Sequence, residues 1–225
     1  MKLVDLNWND VRVVPDSQIF LDYEFDISPE QFLEFAKKDI ENSGKHALVN
    51  ALSNSKRAID CQVDKILHCF GINAKRQNFP AKLELLQELG VVAPRIVGKV
   101  VQERNYLEHE YKCPKKGQVK DFIDITTLFL EASSATLHNF YNSFIVGDKK
   151  NMFDDEERFK RCIFFNFDPD NKKFELSGYK NGASIGSIRI KSVDKEYLTI
   201  IKLAISISIG KEEAFRSSSN IFLKM

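Results

Sequence analysis

The chain has 225 residues, of which 43% are hydrophobic and 29% charged, and its formal net charge is +1. Such a chain is long enough to bury a sizeable core, in one large domain or two small ones. The charge balance excludes a uniformly basic nucleic-acid binder, so any such site has to be a local patch.

Residues 1–27 read as extended. Ile19, Leu21, Tyr23, Phe25 and Ile27 alternate with Phe20, Asp22, Glu24 and Asp26, a period of two. Met1 to Asp10 carries acids and no apolar run, so no signal peptide is expected there. Ser28-Pro29-Glu30 is a helix start, with a capping side chain before a proline. A short helix should follow to about Asn42 and break at Ser43-Gly44. From Lys45 to Phe70 an apolar stripe of Leu48, Leu52, Ile59, Val63, Ile66 and Phe70 predicts a long amphipathic helix stopped by Gly71. Its other side carries Asn50, Asn54, Arg57, Asp60 and Asp64, a solvated row or the lining of a polar cleft.

A third helix is expected over 80–89, with Gly90 as its stop. A fourth starts near Pro94 and ends at Cys113-Pro114, and a fifth covers about 119–144. Residues 147–157 are polar, then acidic, and read as a linker. Beyond it, runs at 159–167 and 174–179 flank Asp168-Pro169-Asp170-Asn171, a turn with Asp first and Pro second. Alternation at 185–193 and 197–209 completes an antiparallel meander of about four strands. The run at 198–209 contains Lys202 and is too short to span a membrane. Cys61, Cys69, Cys113 and Cys162 lack C-x-x-C spacing, which argues for reduced thiols in a cytoplasm rather than a zinc site or disulfides.

The densest chemistry lies on the fourth helix, in Arg104-Asn105-Tyr106-Leu107-Glu108-His109-Glu110-Tyr111. Asn105 and His109 are four apart and share a helix face, as do Arg104 and Glu108. Arg104 and His109 are five apart and point about 140° from each other, so one helix alone does not converge them. Two such helices related by a two-fold axis would. His109 has the pKa range to move protons near neutrality, and Arg104 can hold phosphate oxygens in a fork without losing its charge. Lys112, Lys115, Lys116 and Lys120 follow closely and could guide a phosphate backbone.

The R-N-x-x-x-H-x-Y spacing resembles the R-x4-H motif of HEPN domains, a family of small helical bundles that includes many metal-independent ribonucleases. The resemblance covers about residues 45–145. It implies catalysis by Arg104, Asn105 and His109 at a groove shared across a homodimer, with Glu108 in support and no metal or cofactor. In HEPN toxins paired with a nucleotidyltransferase, the motif's Tyr is the one modified with AMP, and Tyr111 occupies that position.

The expectation is therefore an α+β protein, a HEPN-like α-helical bundle followed by a small antiparallel β-meander domain. Residues 1–27 form an extended segment that could add a strand to that sheet, 28–146 the bundle, 147–157 the linker and 158–225 the β domain. The expected activity is endoribonuclease cleavage of RNA by 2′-OH attack, in a toxin–antitoxin or antiviral-defence setting, with an antitoxin or other regulator as a further partner and no membrane. The alternative is a non-catalytic HEPN-like dimerisation or partner-binding module.

Overall fold

The computed structural model of the protein describes residues 4, 6–7, 10–91, 97, 111–150, 152–153 and 159–210. The chain divides into two compact units. One joins Met1–Leu21 to His138–Met225, and the other is the intervening Asp22–Leu137.

The helical unit opens with α1 (Pro29–Glu41). Ser28 and Gln31 form a reciprocal cap: the Ser28 hydroxyl accepts from the Gln31 amide at 3.2 Å, and the Gln31 side chain accepts from the Ser28 amide at 2.8 Å. Two donors that the helix start leaves orphaned are thereby satisfied. Helix α2 (Lys45–Cys69) is the longest, and it ends where Gly71 takes a φ of +68° that other residues adopt at a cost. Leu33, Ala36 and Ile40 of α1 are buried, as are Ala47, Ala51, Leu52, Ala58 and Ile59 of α2. Each large aliphatic side chain taken fully from water contributes about 1.5–3 kcal/mol. Helix α3 (Phe79–Glu88) is capped by Asn78, whose side chain accepts from the Ala81 amide at 3.0 Å. Helix α4 (Lys116–His138) is tied to α2 by Gln62, which donates to the Ser133 and Ser134 hydroxyls at 2.9 and 3.1 Å.

The other unit is a five-stranded antiparallel sheet in the order β1-β2-β3-β4-β5. Its strands are β1 (Val11–Ile19), β2 (Phe140–Asp148), β3 (Arg161–Asp168), β4 (Lys173–Lys180) and β5 (Ala183–Lys191). Phe144 pairs with Phe165, Phe165 with Leu176 and Leu176 with Ile188, so one face carries an apolar row across four strands. Helix α5 (Tyr197–Ser208) belongs to the same unit, and Tyr197 meets Phe174 edge-on at 5.9 Å. A smaller cluster of Ile145, Met152 and Cys162 is joined by Phe153, Phe159, Phe164 and Tyr179. Gly147 is required beside it, because a Cβ there would lie 2.6 Å from the Met152 side chain and 2.8 Å from the Arg161 carbonyl.

Three expectations are corrected. The chain is α+β, but a HEPN-like bundle followed by a separate β-meander is not its architecture. The helical unit is inserted between β1 and β2, and the described helices do not show a HEPN-like bundle. The fifth predicted helix stops at His138 rather than 144, and 140–148 is a strand. Phe140 and Phe144 are four apart and suit a helix, but β2 lies between two other strands and is buried over most of its length, which favours its run of aromatic and β-branched residues. The fourth predicted strand, 197–209, is instead mostly helix α5. Tyr197, Ile200, Ile201 and Ala204 recur at helical spacing and are wholly buried, and that periodicity outweighs the alternation of Ile205, Ile207 and Ile209.

Candidate functional site

Arg104, Asn105, Glu108 and His109 lie outside the described residues. Tyr111 is described: it is 89% exposed and left-handed, with φ of +55°. Lys112, Lys115, Lys116 and Lys120 are all exposed, in the segment entering α4 and in its first two turns. The Lys115 amide is satisfied by the Gln118 side chain at 3.0 Å, and no acidic residue occupies the first turn of α4. The positive end of the helix dipole and the lysines therefore reinforce one another, which favours an anion there.

A second polar feature is complete within the helical unit. Asn50, Ser53, Asn54 and Arg57 follow one another at spacings of three, one and three on α2, which places them on a single helix face. Phe35, Lys38 and Asp39 do the same on α1, and together the two stripes line a groove of about 480 Å³. Its centre is braced. Asn54 donates to the Asp39 carboxylate at 2.8 Å and accepts from the Arg57 guanidinium at 3.1 Å. Both ends of the amide are thus committed, which fixes its orientation and steers Arg57. Lys38 pairs with Glu34 at 2.6 Å, and that hydrogen bond with the lysine charge holds the Glu34 carboxyl below its ordinary value. Phe35 is 40% exposed, with its ring edge-on to Phe32 at 6.2 Å.

Further along α2 the charges are consumed in pairs. Lys56 bonds Asp60 while its ammonium also lies 5.2 Å from the centre of the Phe79 ring. Lys82 reaches Asp64 at 2.7 Å and Lys65 reaches Asp22 at 2.6 Å. Burial pushes the Asp60 carboxyl up despite Lys56, and one of its oxygens is buried without a hydrogen-bond partner. His68 stacks on Tyr23 at 4.5 Å and His138 lies 4.8 Å from Phe20, which gives both imidazoles packing roles. Among the described residues no three His, Cys, Asp or Glu side chains converge as a metal site, and no helix is long and apolar enough to cross a membrane.

Sequence periodicity singled out Asn50, Asn54 and Arg57 but missed their partners on α1. The signal was available, because Phe35, Lys38 and Asp39 repeat the same three-then-one spacing. Gln62 was also missed, although it interrupts the apolar run of Ile59, Val63 and Ile66. No known family model, curated protein or solved structure matches the chain.

Proposed function

We propose that the chain is a metal-independent endoribonuclease acting as a homodimer. One observation carries the reading, the Arg104-Asn105-x-x-x-His109 spacing. Cleavage by the neighbouring 2′-OH needs a base for that proton, an acid for the departing 5′ oxygen and a cation for the phosphorane charge. His109 moves the protons, Arg104 stabilises the charge and Asn105 positions. Two copies of the motif supply the pair of histidines that separate acid and base steps require. The exposed Lys112, Lys115, Lys116 and Lys120 support the reading by offering a cationic approach for the strand. A cytoplasmic setting in toxin–antitoxin or antiviral defence goes with it, and exposed Tyr111 is then the position at which a regulator could act.

The test is incubation of wild-type and His109→Ala protein with mixed cellular RNA in EDTA, followed by end-group analysis. Fragments ending in a 2′,3′-cyclic phosphate from the wild type alone are expected. Activity that EDTA abolishes would overturn the mechanism. Absence of cleavage by either form would favour a non-catalytic partner-binding module.

A further inference from the structure

We propose that the groove between α1 and α2 is a binding site for a phosphorylated nucleoside, either a free nucleotide or an unpaired nucleotide in an RNA strand. The inference rests on described residues alone and stands whether or not residues 104–109 are catalytic.

Three kinds of chemistry meet in the groove. Phe35 offers an aromatic ring that is 40% exposed although its neighbours in the groove are polar. The ring suits the face of a base, since stacking on aromatic side chains tolerates any base. Asn50, Ser53 and Asp39 supply amide, hydroxyl and carboxylate groups, the combination of donors and acceptors that base edges and ribose hydroxyls require. Arg57 and Lys38 supply two cations for a phosphate.

The construction separates the groove from an ordinary solvated face. Asn54 joins the two helices by its bond to Asp39 of α1, and its other end holds Arg57 one turn along α2, so the two sides of the groove are linked through one amide. The guanidinium has five N–H donors, and Asn54 engages it through one nitrogen while the side chain stays exposed. Lys38 is held by Glu34 in a pair whose side chains are 67% and 58% exposed. Such a pair is weak and screened, so a phosphate can replace the carboxylate. The carboxylates Glu34 and Asp39 also offset the two cations, which disfavours a bare polyanion and favours a ligand that presents a base as well as a charge. The volume, about 480 Å³, falls within the roughly 300–1,000 Å³ of small-ligand sites.

The experiment uses the 225-residue chain with His109→Ala in EDTA, so that the probe cannot be cut. Binding is measured by calorimetry with AMP, GMP, CMP and UMP, and by fluorescence anisotropy with a labelled single-stranded oligoribonucleotide. Binding of at least one probe is expected, and Arg57→Glu or Phe35→Ser should each weaken it by about tenfold or more with the melting temperature kept. Mononucleotide binding would mark a ligand-sensing site, and binding of the oligonucleotide alone would mark a strand contact. The proposal is overturned if no probe binds, or if both substitutions leave binding unchanged in folded protein. Should either variant unfold, Lys38→Glu at an exposed position gives the same reading. Groove-dependent binding without cleavage by the wild type would sink the nuclease and leave this site standing, and cleavage with groove-independent binding would do the reverse.

Discussion

Asp168 organises the β3–β4 turn through its own carboxylate. One oxygen accepts from the Asp170 and Asn171 amides at 3.1 and 3.0 Å, and the other accepts from the Asn171 side chain at 2.8 Å. These bonds to Asn171, aided by Lys173, hold the carboxyl down at about 2. A carboxyl depressed on folding contributes stability that is present above its unfolded value, about 3.9, and lost as pH falls. Asp168→Asn should therefore lower the denaturation midpoint at pH 7, and its deficit should shrink as pH falls below about 5, being mostly lost by about 2 and gone only below that. Equal deficits at pH 7 and pH 2 would refute the carboxylate role. The turn was legible because Asp-Pro-Asp-Asn acts through local hydrogen bonds that need no distant partner. The need for glycine at 147 was not legible, because it arises from Met152 and Arg161 folding back onto that backbone.

Elements were legible where local chemistry agreed with packing. Ser28-Pro29 marks the start of α1, and Gly71 and Gly90 follow α2 and α3, because caps and left-handed stops are local events. Helix α5 was misread because Ile205, Ser206, Ile207 and Ser208 alternate as a strand would. The helix absorbs its serines by turning the Ser206 and Ser208 hydroxyls back to the carbonyls of Lys202 and Ala204 at 2.8 and 2.7 Å. Ser208 has a second task, since its oxygen accepts from the Tyr141 amide of β2 at 2.8 Å. Ser208→Ala strips that amide of its acceptor and should cost about 1–2 kcal/mol. Hydrogen exchange at Tyr141 should quicken in step, and an unchanged exchange rate would refute the assignment. At the candidate site, the α2 half of the groove was legible as a polar row. The α1 half was not, because periodicity describes one helix and a groove needs two.

At the scale of the molecule, the N-terminal segment was legible as a strand that could join the sheet, and β1 does pair with β2, but the extent of the insertion was not legible. Sequence order suggested bundle then sheet, but pairing between strands carries no record of how much chain separates them. Ile19 pairs with Phe140, so the helical unit leaves and rejoins the sheet at adjacent points. Replacing residues 22–137 with a short Asn-Gly turn should therefore yield a folded sheet unit, seen as a cooperative melt with strand-rich circular dichroism. A chain without a cooperative transition would show that the sheet depends on its insert.

The same connectivity makes β1 a guest strand tethered by the helical unit. Its ladder runs from Val11 against Asp148 to Ile19 against Phe140, and every bond in it closes a circuit through the insert. The helical unit thus sets the effective concentration at which β1 meets β2, a quantity on the order of millimolar for short flexible tethers. Cleaving the insert would turn an intramolecular pairing into a dilute bimolecular one, whereas unfolding it would only lengthen the tether and lower that concentration. A cleaved strand could then exchange between molecules, so the continuity of the chain through the insert governs whether the sheet stays whole.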